Sequence, residues 1–232
     1  MIVMCFDLSS ACIGITFAEI KEKKLTYIQT LAVIPESPSA KDIGYTTKQP
    51  KTIFYNGDKF KALLKDGEYF ISKKEAKKRV TDFKNSTHRE LLRDIGKQCG
   101  FYLDGVKPDI IAIEKNKAFN GVLTTKLLAE ISGGIYFYTG MRDIPLYDYD
   151  VSTVRSNIRK TIPAFKRYTN ELNQTALDTK WEIYCRLRSY FEKNYPGLLD
   201  FSSMTMDESD SLAVFYHLFK SVLNDKISEG GE

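Results

Sequence analysis

The sequence predicts an α/β fold in which a mixed five-stranded sheet is flanked by helices. Two apolar runs, IVMCF at residues 2–6 and IIAI at residues 110–113, are typical of strands buried on both faces of a sheet. The first run is followed by two more strand-like segments, and the second lies among helical segments. A strand meander followed by alternating helices and strands is typical of a mixed sheet covered by helices.

Three strands open the chain. The first stops at Asp7, and a short polar link leads into IGITFAEI. A charged turn then precedes KKLTYIQTLAVI, so short links join all three strands and predict an antiparallel meander. Residues 35–72 hold three prolines and many lysines, which indicates an irregular insertion and not a second domain. We therefore predict a single domain over residues 1–232.

Helix-capping patterns mark several of the helices that follow. Ser72-x-x-Glu75 and Thr87-x-x-Glu90 predict either one long helix with a break near Asn85 or two shorter helices. After the second buried strand, apolar or periodic segments alternate with one more strand, IPLYDYDV. The later helices are predicted at residues 122–140, 151–160 and 176–193 and after the capping pattern Thr205-x-x-Glu208.

Composition excludes several classes of protein. Hydrophobic residues make up 43% of the chain and charged residues 28%, and no apolar run approaches the roughly 20 residues of a membrane span. The N-terminus lacks the basic region and cleavage site of a signal peptide, so we predict a cytoplasmic protein with no membrane partner. Only two histidines are present, which excludes a multi-histidine zinc site. The four cysteines form no C-x-x-C pair and are predicted to be buried, reduced thiols.

Four acidic residues from three distant segments carry the chemical signal. Asp7 and Glu114 each end a buried strand, so their carboxylates emerge side by side if the two strands are neighbours. Asp207 and Asp210 share one face at the start of the last helix, although a single acid after a strand is usually a turn residue and one at a helix start is usually a cap. Packed together, four carboxylates need cations, and oxygen ligands favour Mg²⁺ or Mn²⁺. Two such ions about 4 Å apart can activate water and stabilise the leaving oxygen in phosphodiester hydrolysis.

These segments, in this order, resemble a known family. IVMCFDLSSACIGIT is similar to the first strand of the RuvC family of Holliday-junction resolvases, within the RNase H-like superfamily, where an Asp precedes small residues and a Gly. DIIAIEKNKAF resembles its second acidic strand, and MDESDSLAVFYHL its closing D-x-x-D-A-L-A helix. Between these two segments, LLAEISGGIYF resembles the family's helix after the second acidic strand. The family's two basic segments are resembled by VSTVRSNI and TKWEIYCRLRSYF. The resemblance covers most of residues 1–34 and 88–220.

The resemblance implies a crossover-junction endodeoxyribonuclease. Such an enzyme selects its DNA by structure and depends on divalent metal ions. It would cleave branched DNA, with Holliday junctions as its first substrate and replication forks as its second. It would bind two Mg²⁺ or Mn²⁺ ions per site, and Lys180 would be a catalytic cation that neutralises the scissile phosphate. The implied metal-binding and catalytic carboxylates are Asp7, Glu114, Asp207 and Asp210.

A DNA-facing surface is also implied. The net charge is +4, and residues 155–188 carry eight Lys and Arg against three Asp and Glu, although an ordinary solvated helix face has the same pattern. Phe119 can stack on an unpaired base or belong to the core. The candidate DNA contacts are Arg155, Lys115, Lys117, Phe119 and Lys160.

Some features depart from the family. The insertion at residues 35–72 and the late position of Phe119 indicate a divergent, phage-type member, which would act in the cytoplasm of its host. His217 lies on the same helix face as Asp210, but its spacing differs from that of the His some relatives carry, so we place it outside the site.

Two symmetric cuts are needed to resolve a four-way junction, so we predict a homodimer. The helix at residues 122–140 is apolar on more than one face and is the predicted interface, although burial within one subunit would give the same pattern. Three other functions fit parts of the sequence. They are a ribonuclease H-type nuclease on RNA–DNA hybrids, an actin-like ATPase with FDLSSACIG as its first phosphate motif, and a non-catalytic DNA-binding module.

Overall fold

The computed structural model describes residues 1–9, 12–33, 73–115, 122–163 and 179–223. The chain divides into two compact units, one formed by Met1–Ile34 with Gly100–Glu232 and the other by Pro35–Cys99. The predicted insertion at residues 35–72 and the Ser72 cap lie outside the described residues. The single-domain organisation therefore stays a prediction.

A five-stranded mixed sheet lies in the first unit, with the order β3-β2-β1-β4-β5. Its strands are β1 (Ile2–Asp7), β2 (Ile13–Lys21), β3 (Lys24–Val33), β4 (Ile110–Lys115) and β5 (Leu146–Asp150). β1, β2 and β3 form an antiparallel meander, whereas β4 pairs in parallel with β1 and β5 in parallel with β4. The predicted mixed sheet and its opening meander are confirmed.

The central position of β1 explains its composition. β1 lies between β2 and β4, and its residues Val3 to Phe6 are 0% exposed. A strand covered in this way reads as a continuous apolar run because both of its faces are buried. Between β2 and β3, Glu22 and Lys23 have φ angles of 50° and 62°, the positive values that a tight two-residue hairpin turn requires.

Five α-helices belong to the described ranges, and the last continues as a short π-helical turn, Phe219–Leu223. They are α1 (Lys73–Val106), α2 (Val122–Met141), α3 (Val151–Thr161), α4 (Thr179–Asn194) and α5 (Met206–Leu218). α1 runs through Asn85 without a break, so the break predicted there and the alternative of two shorter helices are both wrong. Among the described helices, none combines the length and the apolar character needed to cross a membrane.

The last helix, α5, forms the centre of the core. It contacts β1, β2, β3 and β4 and also α3 and α4, and every residue from Ser209 to Leu218 is buried. Because α5 is covered all round, only its first turn approaches the surface. Three of the four free cysteines are buried as predicted, whereas Cys12 is partly exposed.

Candidate metal centre

β1 and β4 are parallel neighbours, and each strand carries an acidic residue where it leaves the sheet. Phe6 pairs with Ile113, so the next residues, Asp7 and Glu114, lie side by side at one edge of the sheet. Asp7 is 8% exposed, and Glu114 is partly buried. Each acid directly follows the apolar run of its strand.

A capping box starts α5 just ahead of the other two acids. The Thr205 N–H donates to Glu208 Oε2 at 2.7 Å, and the Glu208 N–H donates to Thr205 Oγ1 at 3.3 Å. Both bonds satisfy backbone donors that the first helical turn leaves unpaired. The cap therefore fixes the turn that carries Asp207, and one turn later the buried Asp210.

Gly14 lets this first turn approach the sheet. Gly14 lies opposite Asp7 in the β1–β2 register, and a Cβ atom there would lie 1.9 Å from the Asp207 carbonyl oxygen. Only glycine allows β2 and the start of α5 to come this close. One turn further on, the hydroxyl groups of Thr16 and Ser211 are 2.8 Å apart and join the same two elements in the core.

This packing gathers three carboxylates, which we call the acidic cluster: Asp7, Asp207 and Asp210. One oxygen from each lies within 4.8 Å of the others. The spacing and the oxygen donors suit one or more divalent cations such as Mg²⁺. Glu114 is not part of this group, although its charge acts on Asp7 from the neighbouring strand.

Two basic side chains reach the acidic cluster from neighbouring helices. Lys180 on α4 places its Nζ 2.5 Å from Asp210 Oδ2 and 3.5 Å from Asp207 Oδ1. Arg155 on α3 places Nη2 3.6 Å from Asp210 Oδ1. Of the predicted DNA contacts, Arg155 therefore faces the acids.

The electrostatics of the cluster are those of a crowded anionic site. Burial, and then the charges of Glu114 and Asp210, hold the pKa of Asp7 well above its usual range. Burial and Asp210 also raise the pKa of Glu114 to about 7, although Arg155 and Lys180 oppose the shift. Burial lowers the pKa of Lys180, but its hydrogen bond to Asp210 and the nearby carboxylates outweigh that effect and raise it. The site favours cations, either protons or metal ions.

Sequence reasoning missed two residues beside the cluster, Gly14 as a spacer and Cys12 as a neighbour. The Cys12 thiol donates a hydrogen bond to the Asp207 side chain. Burial is the main cause that raises the pKa of Cys12 to about 12, and the charge of Asp207 is the second. A thiol held in its protonated form is a poor nucleophile despite its partial exposure. The available signal was position, since Cys12 lies in the short link that follows Asp7.

Of the remaining predicted DNA contacts, two lie on the surface and two cannot be placed. Lys115 pairs with Asp148 at 3.8 Å on the surface, and Lys160 is exposed near the end of α3. Lys117 and Phe119 lie outside the described residues. The structure therefore brings Lys180 and Arg155 to the acids and leaves Lys115 and Lys160 on the surface.

His217 occupies a buried position near the far end of α5. Its Nδ1 accepts from Asn157 Nδ2 at 2.7 Å, and its ring meets Tyr149 edge-on with centroids 4.5 Å apart. Burial lowers the pKa of the imidazole. His217 thus packs α5 against α3 and β5.

No protein-family model and no curated protein sequence matches the chain. Among solved structures, RuvC of Thermus thermophilus is similar over 97% of this chain and 97% of its own, with a TM-score of 0.50 and 13% sequence identity. The chain has the RuvC fold.

Two further solved structures are similar at lower TM-scores. RuvC of Thermus thermophilus in complex with a Holliday junction substrate matches 92% of this chain and 90% of its own, at 11% identity and a TM-score of 0.48. The Fowlpox virus resolvase, solved with substrate Holliday junction DNA, matches 96% of this chain and 99% of its own, at 12% identity and a TM-score of 0.41. The RuvC fold confirms the predicted fold class, an RNase H-like mixed sheet flanked by helices.

Proposed function

We propose that this chain is a divergent RuvC-family nuclease, acting as a single domain over residues 1–232. It is a structure-selective crossover-junction endodeoxyribonuclease that cleaves Holliday junctions and, second, replication forks. The observation that carries the proposal is the acidic cluster, whose three carboxylates lie within 4.8 Å of one another in a chain with the RuvC fold. The sequence resemblance to that family independently selects the same carboxylates.

Divalent ions would be held by the acidic cluster, with Glu114 as a further ligand from β4. The sequence resemblance implies Mg²⁺ or Mn²⁺, two ions per site, and oxygen donors suit either. When bound, such ions supply an activated water and stabilise the leaving oxygen during phosphodiester hydrolysis. The chain's own contribution is to hold the carboxylates in place, through Gly14 on β2 and the Thr205 cap of α5.

Lys180 and Arg155 would orient the DNA backbone at the acids. Each carries a charged donor within 4 Å of an acidic oxygen, so a phosphate drawn to bound metal ions arrives beside both. Charge-assisted hydrogen bonds from these side chains offset the charge that develops on the phosphate. Lys115, Lys117 and Lys160 would contact flanking phosphates, and Phe119 would stack on an unpaired base at the branch.

A homodimer would supply the two cuts that a four-way junction needs. Support comes from α2, where Phe137 is 70% and Met141 67% exposed, together with Tyr136 at 46%. Apolar side chains that stay exposed on one helix are typical of an interface. We propose that this dimer acts on branched DNA in the cytoplasm, that of a bacteriophage host if the chain is phage-encoded.

The deciding experiment incubates the protein with four labelled substrates: a four-way junction, a replication fork, an RNA–DNA hybrid and a linear duplex. We expect metal-dependent cleavage of the branched substrates, none in EDTA, and little cleavage of the duplex. Preferred cleavage of the hybrid would instead favour a ribonuclease H-type enzyme.

Asp7→Asn should abolish cleavage while junction binding persists or tightens. The change removes one ligand and one negative charge near the phosphate but no DNA contact. Gel-shift binding and a cleavage time course measure both effects. A variant that still cuts the junction within a few-fold of the parent rate would place the active site elsewhere.

A further inference from the structure

Lys180 occupies the acidic cluster as a metal ion would. Its Nζ bridges Asp210 at 2.5 Å and Asp207 at 3.5 Å, two of the three carboxylates that the cluster comprises. Arg155, by contrast, reaches only Asp210, at 3.6 Å. A positive charge therefore lies among the acidic oxygens where a divalent cation would have to bind.

The third acid is left without a comparable partner. Asp7 is 8% exposed, and burial and the charges of Glu114 and Asp210 raise the pKa of its carboxyl group by more than the charge of Lys180 lowers it. A buried carboxylate crowded by like charges is costly unless a proton or a cation compensates it. Lys180 thus pairs with the two acids of α5 and offsets only part of the charge of Asp7, so that a further cation can still bind there.

We propose that Lys180 is a tethered cation that holds the acidic cluster in its metal-free state and leaves it when a divalent ion binds. This inference rests on the proposed metal site. The ammonium and the metal ion compete for the oxygens of Asp207 and Asp210, because both require the same lone pairs. Lys180 has room to leave, since its side chain is 42% exposed while that of Asp210 is 5% exposed.

Lys180 therefore interacts first with the carboxylates of the acidic cluster and, after metal binding, with an approaching DNA phosphate. Before metal binding, the ammonium lowers the repulsion among the carboxylates and so keeps the start of α5 against β2. After metal binding, it is released toward solvent, on the side from which a DNA phosphate approaches. In the absence of metal, the Lys180 ammonium therefore pairs with Asp210 inside the acidic cluster. When metal is bound, the ammonium acts outside the cluster.

The first test measures Mn²⁺ binding by isothermal titration calorimetry, without DNA, for the parent and Lys180→Met. Removal of the competitor should tighten Mn²⁺ binding by about tenfold or more. Thermal unfolding gives a second measure of the same competition. In EDTA the variant should melt below the parent, and saturating Mn²⁺ should raise its Tm by more than it raises that of the parent.

Two comparison variants separate competition from a general change of charge. Arg188→Met removes the same charge from α4, where Arg188 pairs with Glu192 at 2.7 Å on the exposed face, and should leave the Mn²⁺ affinity unchanged. Arg155→Met removes a charge that pairs with one acid of the cluster, Asp210, and also acts on Glu114, and it should tighten binding less than Lys180→Met. An equal gain in all three variants, or unchanged or weaker binding in Lys180→Met, would overturn the proposal.

Release of the ammonium can be followed directly. Acetylation of Lys180, quantified by mass spectrometry, should be faster with Mg²⁺ than with EDTA, whereas that of the exposed Lys193 on the same helix should not change. Equal or slower acetylation of Lys180 with Mg²⁺ would overturn the exchange. Because neither test contains DNA, a protein that binds Mn²⁺ competitively but cuts no junction would uphold this inference and refute the proposed nuclease. Failure of parent and variants alike to bind Mn²⁺ would refute both.

Discussion

Glu114 is, with Asp7, one of two carboxyl groups in the site whose pKa is raised by burial and by neighbouring charges. Burial and the charge of Asp210 raise the pKa of Glu114 from 4.5 to about 7. A carboxyl group with a raised folded-state pKa stabilises the fold below its unfolded pKa, and that contribution is lost as pH rises through the folded pKa. We therefore expect Glu114 to cost the fold roughly 2 kcal/mol between pH 4.5 and 7, from the cited shift with allowance for partial exposure.

Urea unfolding in EDTA, for the parent and Glu114→Gln, measures this effect together with the loss of the charge by which Glu114 raises the pKa of Asp7. The parent and the variant must be compared because His217 also changes stability with pH. Burial lowers the pKa of His217, so the free energy of unfolding rises with pH up to the pKa of His217 in the unfolded chain, near 6.5. The variant should gain stability relative to the parent across the window from pH 4.5 to 7. A constant difference between the two proteins would show that Glu114 keeps an ordinary pKa.

At Gly14, the addition of a single methyl group should lower the stability of the protein strongly. Alanine would place a Cβ 1.9 Å from the Asp207 carbonyl oxygen, which is backbone and cannot rotate away. We expect Gly14→Ala to lower the free energy of unfolding by about 3 kcal/mol and to weaken Mn²⁺ binding, because α5 must move from β2.

The matched control is Gly96→Ala, at an exposed position within α1 where a Cβ meets nothing within 4 Å. That change should be neutral or stabilise the helix by up to about 1 kcal/mol. Chemical denaturation and calorimetry compare the two variants. Equal stabilities would mean that the close approach of α5 to β2 does not constrain the site.

At the scale of elements, we expect the cap of α5 to couple helix stability to the proposed metal binding. Thr205 exchanges hydrogen bonds with Glu208 at the turn that carries Asp207. Thr205→Ala should lower the free energy of unfolding by about 1 kcal/mol and weaken Mn²⁺ binding, because the first turn frays. Thr205→Ser keeps the hydroxyl and should behave as the parent in both measurements. If Thr205→Ala binds Mn²⁺ as tightly as the parent, the Thr205 cap does not contribute to the metal site.

The elements themselves were largely predictable from the sequence because their signals are local. The apolar run before Asp7 and the capping box at Thr205 each place an element and an acid within a few residues. The long helix α1 passes through Asn85 although neighbouring Ser and Thr suggested a break there, since weak propensities do not by themselves end a helix.

What the sequence could not predict depends on contacts between remote segments. Nothing near Gly14 in the sequence indicates that the backbone of Asp207 fills the space of its side chain. The contact of Cys12 with Asp207 and the bridge from Lys180 are equally non-local. The resemblance named the acids, but only the fold shows that three of them meet while Glu114 stands slightly apart.

For the whole molecule, the expectation is a dimer formed through α2. Phe137, 70% exposed, should lie near the centre of that interface. Light scattering at micromolar concentration should give twice the mass of one chain, and Phe137→Glu should give a single chain with an unchanged circular dichroism spectrum. Tyr27→Glu, at another exposed aromatic residue on β3, should remain dimeric. A parent that stays monomeric with and without DNA would contradict the interface.

The two sides of the acidic cluster come from far-apart positions, β1 and α5. The Thr16–Ser211 hydrogen bond that joins these regions spans 195 positions of the chain. Closing a loop of this length costs more chain entropy than closing a short one, so we expect these contacts to form after the local ones. On the ribosome, a nascent chain from which α5 has not yet emerged lacks Asp207 and Asp210, two of the three carboxylates of the acidic cluster. The activity of the proposed nuclease would therefore begin only after α5 has been synthesised.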